Sequence, residues 1–74
     1  MIRRGSFVTL RNGDQAMEAM VVLASPNEDS LALMFDGAFR VGDGMLIGSM
    51  ALLRTDGVYR DILTGTPIIV DEKL

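Results

Sequence analysis

Apolar and polar residues alternate along this 74-residue chain in short runs, and each run ends in a cluster of turn-forming residues. Residues 6–11, Ser-Phe-Val-Thr-Leu-Arg, mix β-branched and aromatic side chains and lead into Asn12-Gly13, a dipeptide suited to a tight turn with both residues at positive φ. Residues 15–24 admit two readings. Asp14 can cap a helix and Ala16-Met-Glu-Ala-Met20 favours one, whereas Met20-Val-Val-Leu23 has the composition of a buried strand. The turn cluster Ser25-Pro-Asn-Glu-Asp-Ser30 decides for a strand, because it joins that run to Leu31-Ala-Leu-Met-Phe35 as the second arm of a hairpin. Asp36-Gly37 then predicts a break, with 38–44 as a connecting loop that holds one short extended piece at Phe39-Arg40-Val41. Met45 to Thr55 reads as a strand bent at Gly48-Ser49, Asp56-Gly57 as a two-residue hairpin turn, and Val58 to Ile62 as the returning strand. Thr64-Gly-Thr-Pro67 forms the next turn and leaves Ile68-Ile-Val70 as a last short strand.

Five or six short strands joined by brief turns predict an all-β fold, a small antiparallel barrel. Over residues 6–70 this layout resembles the SH3-like barrels, although no family-specific motif accompanies the resemblance. The alternative is an α+β fold in which residues 14–23 form a helix covering the sheet. Residues 1–74 make a single domain, with 1–5 and 71–74 expected to be flexible ends.

The Asp56-Gly57 turn fixes a register. It pairs Thr55 with Val58, Arg54 with Tyr59, Leu53 with Arg60, Leu52 with Asp61, Ala51 with Ile62 and Met50 with Leu63. Ala51, Leu53, Thr55, Val58, Arg60 and Ile62 therefore share one face, and Met50, Leu52, Arg54, Tyr59, Asp61 and Leu63 share the other. The first is the better core on pattern, with Arg60 reaching out at a rim. The second combines apolar residues with an ion pair expected between Arg54 and Asp61, and Arg54 is placed to lie over the Tyr59 ring. Both faces are too apolar for one to be simply solvated, and Ala32 and Met34 repeat the problem on the other hairpin. The economical explanation is that Met50, Leu52, Arg54, Tyr59, Asp61 and Leu63 form a binding surface or subunit interface in a homo-oligomer. On this assignment Glu at Leu52 or Leu63 would split the assembly, and Glu at Leu53 would unfold the chain.

Composition supports the same reading. Apolar residues make up 49 % of the chain, and counting the eight glycines in place of the single tyrosine carries the share above the roughly 45–50 % usual in soluble domains. A core this small supplies only about 3–5 kcal/mol and has no disulfide to assist it, so partner subunits are an expected source of stability. The absence of Cys and His removes thiolate nucleophiles, imidazole bases and most transition-metal sites, which points to a non-enzymatic protein without metal or cofactor. Residues 44–53, the longest uncharged stretch, fall short of the roughly 18–20 needed to span a bilayer. Arg3 and Arg4 lack a following apolar segment of the secretory type, so a cytoplasmic location is expected.

Other constellations invite specific chemistry. The net charge is −3, yet residues 1–13 carry Arg3, Arg4 and Arg11 with no acid, so the second functional reading is a nucleic-acid-binding barrel with a basic arm. The aromatics are few, Phe7, Phe35, Phe39 and Tyr59, and most are needed for the core, which leaves little for base stacking. Gly42-Asp-Gly-Met-Leu-Ile-Gly48 has GxGxxxG spacing outside any strand–loop–helix unit, and turn and bend roles explain its glycines better than phosphate binding. Asn27, Glu28, Asp29, Asp36 and Asp43 lack calcium-loop spacing. Met17, Met20, Met34, Met45 and Met50 fall within apolar runs and read as core filling rather than a pliable ligand surface. A catalytic site assembled between subunits from Asp, Arg, Tyr and Ser has no pattern to locate it. A protein or small-molecule ligand remains compatible with the barrel, and its sequence does not name one.

Overall fold

Three two-residue turns and two longer loops connect six strands in the computed structural model, which describes residues 1–73. The strands are β1 (Phe7–Asn12), β2 (Gln15–Ala24), β3 (Ser30–Val41), β4 (Gly44–Thr55), β5 (Val58–Asp61) and β6 (Pro67–Glu72). Each pairs antiparallel with its sequence neighbour, and β6 closes the barrel against β1 from Arg11↔Ile69 to Val8↔Glu72. The fold is all-β, with no helix among the described residues. Residues 15–24 are strand throughout: Gln15–Met20 pair with β1 and Met20–Ala24 with β3. The local helix preference of Ala16–Met20 gives way to alternation, with Ala19 and Val21 buried and Glu18 and Met20 exposed.

At the Asp56-Gly57 turn both residues have positive φ, 54° and 79°, and the pairs from Thr55↔Val58 to Leu52↔Asp61 follow the register read from the sequence. The first turn is displaced by one residue from its prediction. Asn12 stays in the ladder opposite Gln15, and the turn residues are Gly13 and Asp14, with positive φ only at Gly13. That pattern needs glycine at the first central position, where a turn centred on Asn12-Gly13 would need both residues left-handed.

The predicted break at Asp36-Gly37 is a bulge within one continuous strand. Met34 pairs with Ser49 and Ala38 with Ile47, so β3 carries two more residues than β4 across this step. Residues 38–41 are accordingly strand, with Phe39 and Val41 buried, and not a connecting loop. Opposite the bulge, Gly48 at φ 77° supplies the bend expected in β4. The folded-over end of this hairpin is fastened to β2 by Gln15. Its Nε2 donates to the Arg40 carbonyl at 2.7 Å, and its Oε1 accepts from the Arg40 N–H at 3.0 Å, in place of a backbone ladder.

The ends are also engaged. Ile2 is buried and its N–H donates to Glu28 Oε1 at 2.7 Å, while Gly5 N–H donates to the Val21 carbonyl. Asp71 and Glu72 belong to β6, and Lys73 N–H donates to the Phe7 carbonyl at 2.9 Å, so these residues are paired rather than frayed. Leu74, part of the tail expected to be flexible, lies outside the described residues.

The barrel interior is formed by Val8, Leu10, Ala19, Val21, Leu31, Leu33, Phe39, Val41, Met50, Leu52, Tyr59 and Ile68. This reverses the two faces assigned to the β4–β5 hairpin. Met50, Leu52, Tyr59 and Asp61 point inward, and Leu53, Val58, Arg60 and Ile62 lie outside. Burial of Asp61, 1 % exposed, is permitted because both of its carboxylate oxygens are hydrogen-bonded. It accepts from Leu63 N–H at 3.2 Å, from Thr64 N–H at 2.8 Å and from the Thr64 hydroxyl.

Candidate functional site

Turning the hairpin inside out moves the surplus apolar residues to a different surface. Along β4, residues alternate from Met45 to Leu53 so that Met45, Ile47, Ser49, Ala51 and Leu53 all face outward. The bulge in β3 and the bend at Gly48 make this surface concave. The result is a groove of about 500 Å³. Its floor is small, made by Ala32, Ser49 and Ala51, with Ala32 opposite Ala51 in the ladder. Met34 of β3, Met45 and Ile47 of β4, and Ile62 and Leu63 of the β5–β6 loop complete the lining. Ile47 is 78 % exposed, Leu63 73 % and Ile62 59 %. The only ionisable lining residue is Asp61, whose carboxylate is turned to the Leu63–Thr64 backbone.

Of the residues proposed as a binding or interface surface, only Leu63 projects freely from this side of the molecule. Met50, Leu52, Tyr59 and Asp61 are core, and Arg54 belongs to a separate cluster at the barrel end. Ala32 and Met34, the second pair of surplus residues named from the sequence, do line the groove. Met45, Ile47 and Ile62, which also line it, are not among the residues the sequence pattern singles out. Their signal was present in the strict alternation of β4 from Met45 onward, once Gly48 is counted as a bend that preserves the alternation.

Arg54 does not pair with Asp61, which is inside the barrel. Its Nε donates to Asp29 Oδ1 at 3.0 Å and its Nη2 to the Asn27 carbonyl at 2.7 Å, while its guanidinium lies 5.2 Å from the centre of the Tyr59 ring. The hydrogen bond to Asp29 raises the Arg54 pKa. Tyr59 in turn donates its hydroxyl to the Glu28 carbonyl at 2.5 Å. Glu28 has a positive φ of 64°, so the Ser25–Ser30 connection is pinned in a conformation that most residues avoid. The cluster is a clamp that holds the β2–β3 loop over the end of the barrel. Burial raises the Tyr59 pKa above its ordinary value of about 10, with the Arg54 charge opposing. Because the folded-state pKa exceeds the unfolded one, this contribution to stability is complete below about pH 10 and is lost as pH rises through the folded-state value. A spectrophotometric titration of the single tyrosine should therefore show late phenolate formation coupled to unfolding. Tyr59→Phe should remove the phenolate step and shift the alkaline unfolding to higher pH.

The three arginines of the alternative reading are not brought together. Arg11 lies on β1 and its Nε donates to Asp71 at 2.9 Å, whereas Arg3 and Arg4 are exposed ahead of β1. Phe39 and Tyr59 are inside the barrel, unavailable for stacking. Gly42 sits in the β3–β4 turn, Gly44 begins β4 and Gly48 bends it, so the GxGxxxG run forms no phosphate loop. The acidic residues considered for calcium are dispersed, Asp29 being taken by Arg54, and no group of three or more Asp, Glu, His or Cys side chains converges among the described residues.

The chain matches no protein-family model, and no curated protein or solved structure shows a significant similarity to it.

Proposed function

We propose that this small barrel is a non-enzymatic interaction module that self-associates into a homo-oligomer through its outer apolar groove. The observation that carries this reading is the size and chemistry of the groove face. Met34, Met45, Ile47, Ile62 and Leu63 are each more than half exposed. With roughly 200 Å² per residue they offer on the order of 600 Å², at the upper end of the roughly 300–600 Å² of the largest patch on an ordinary monomer and approaching the roughly 800 Å² each partner contributes to a stable interface.

A second copy of the chain suits this face better than a charged partner. The net charge of −3 would set two copies against each other, but the groove itself carries no free charge, so the apolar surfaces meet without like-charge repulsion. Barrel closure removes strand edges, so association proceeds through side chains and not by added strands. Light scattering at micromolar concentration should give a mass above that of the 8.0 kDa chain, and Leu63→Glu should return it to the monomer value with the circular dichroism spectrum unchanged. A folded wild-type monomer under those conditions would rule the reading out.

A further inference from the structure

The chain has six methionines and no cysteine, so all of its oxidisable sulfur is thioether sulfur. The apolar runs assign Met17, Met20, Met34, Met45 and Met50 to the core, but the barrel divides them. Met50 is buried and Met17 packs against the core, whereas Met20, Met34 and Met45 lie on the outside. Met34 and Met45 are each 54 % exposed, and both line the apolar groove. Met20 is opposite Met34 in the β2–β3 ladder but does not line the groove, and neither does Met1, which is 79 % exposed.

We infer that Met34 and Met45 are modification sites: a hydroperoxide converts them to sulfoxides, and the oxidised groove no longer holds a second copy of the chain. The inference rests on the proposed self-association and adds its regulation. In the reaction a sulfur lone pair attacks one peroxide oxygen, an S–O bond forms and the O–O bond breaks. The proton of the transferred hydroxyl passes to the departing oxygen. Sulfur is oxidised by two electrons, and the peroxide is reduced to water, or to an alcohol where it is organic. Access decides which sulfur reacts. In the free chain Met34 and Met45 meet solvent and Met50 does not. In the assembly the groove is covered, so both react through the dissociated chain, whose share falls as concentration rises. The effect on assembly follows from what lines the groove. A sulfoxide oxygen is a hydrogen-bond acceptor, and the one lining side chain that can donate to it is Ser49, since the Asp61 carboxylate only accepts. Two sulfoxides would compete for that hydroxyl. A polar group covered without a partner should weaken association about tenfold or more. Enzymatic reduction of the sulfoxide restores the thioether, so the change is reversible.

Limited treatment of the wild-type chain with hydrogen peroxide, followed by peptide mass mapping, tests the sites. Sulfoxide should appear at Met1, Met34 and Met45 well ahead of Met17 and Met50. Raising the protein concentration through the association range should slow Met34 and Met45 and leave Met1 unchanged. Separating the treated sample by size tests the consequence. Sulfoxide at Met34 or Met45 should be concentrated in the monomer, sulfoxide at Met1 should be spread evenly over monomer and assembly, and a methionine sulfoxide reductase should restore the larger mass. Met20→Leu should respond to peroxide as the wild type does, which assigns the effect to the groove pair. Oxidation of Met50 ahead of Met34 and Met45 would overturn the site assignment. Equal sulfoxide at Met34 and Met45 in monomer and assembly would overturn the regulation while leaving self-association standing. An untreated chain that is monomeric at every concentration would remove the self-association and the regulation built on it.

Discussion

Leu52→Glu should leave the chain unfolded at 25 °C, and Leu53→Glu, one residue away, should leave it folded. Leu52 is 2 % exposed and packs in the barrel among Leu31, Tyr59 and their neighbours, whereas Leu53 is 49 % exposed on the outer face opposite Arg60. Glu at position 52 must either bury a carboxylate with no partner or take up a proton, and at neutral pH each costs several kcal/mol. A barrel of this size has about 3–5 kcal/mol to lose. At position 53 the carboxylate meets water and the Arg60 guanidinium, so the change in stability should stay within about 0.5 kcal/mol. Thermal unfolding followed by circular dichroism checks both. The pattern expected from sequence alone was the opposite one, so a folded Leu52→Glu beside an unfolded Leu53→Glu would reinstate the abandoned face assignment.

The second large effect is expected at Asp61. Its side chain ends β5 by accepting the N–H groups of Leu63 and Thr64 and the Thr64 hydroxyl, while its backbone N–H donates to the Thr66 carbonyl and its carbonyl accepts from Gly65. Asp61→Ala keeps the backbone bonds but leaves the Leu63 and Thr64 N–H groups without their acceptor, at a cost of about 2–4 kcal/mol given hydrogen bonds to a charged group. Urea titration should show a midpoint lowered in proportion, with an unchanged slope. The loop also carries Leu63 into the groove wall, so Asp61→Ala should weaken association beyond the loss of fold stability. Asp61→Asn, which retains an acceptor oxygen, should recover much of both.

These two residues also mark where the sequence was legible and where it was not. Strand positions, the Asp56-Gly57 register and the bend at Gly48 follow from local rules, because turn geometry and alternation act over a few residues. The choice of inner face is not local. Pattern favours the face whose apolar members are contiguous, with Arg60 at a rim, but the face that carries Asp61 and Arg54 is the inner one, and the two charges are accommodated in different ways. Asp61 is neutralised in effect by backbone donors two and three residues ahead, and the Asp61-Ile-Leu-Thr64 spacing is the signal that such a self-contained turn leaves. Arg54 lies at the barrel end, where its charge is met by Asp29 from a loop distant in sequence. Without that contact in view, Asp61 was the only acid its strand register offered. The surplus of apolar residues was legible from the start, but its location depended on the face assignment and moved with it to Ile47, Ile62 and their neighbours.

Closure by β6 has a consequence for how the chain reaches its native state. Every other strand pair joins segments adjacent in sequence, most across two-residue turns, whereas β1–β6 brings Val8 to Glu72. Closing a loop of that length costs about 3–4 kcal/mol in chain entropy, several times the cost for a short hairpin. The open meander therefore assembles first on entropic grounds, with β1 and β6 as bare edges until they meet. During that interval the sheet is a template for strands from other chains. Arg11, with Asp71 still to be joined to it, sits unpaired on the β1 edge as a charge that an incoming foreign strand would have to tolerate. The ion pair that adds little to the finished barrel thus acts earlier, as protection for an unfinished one.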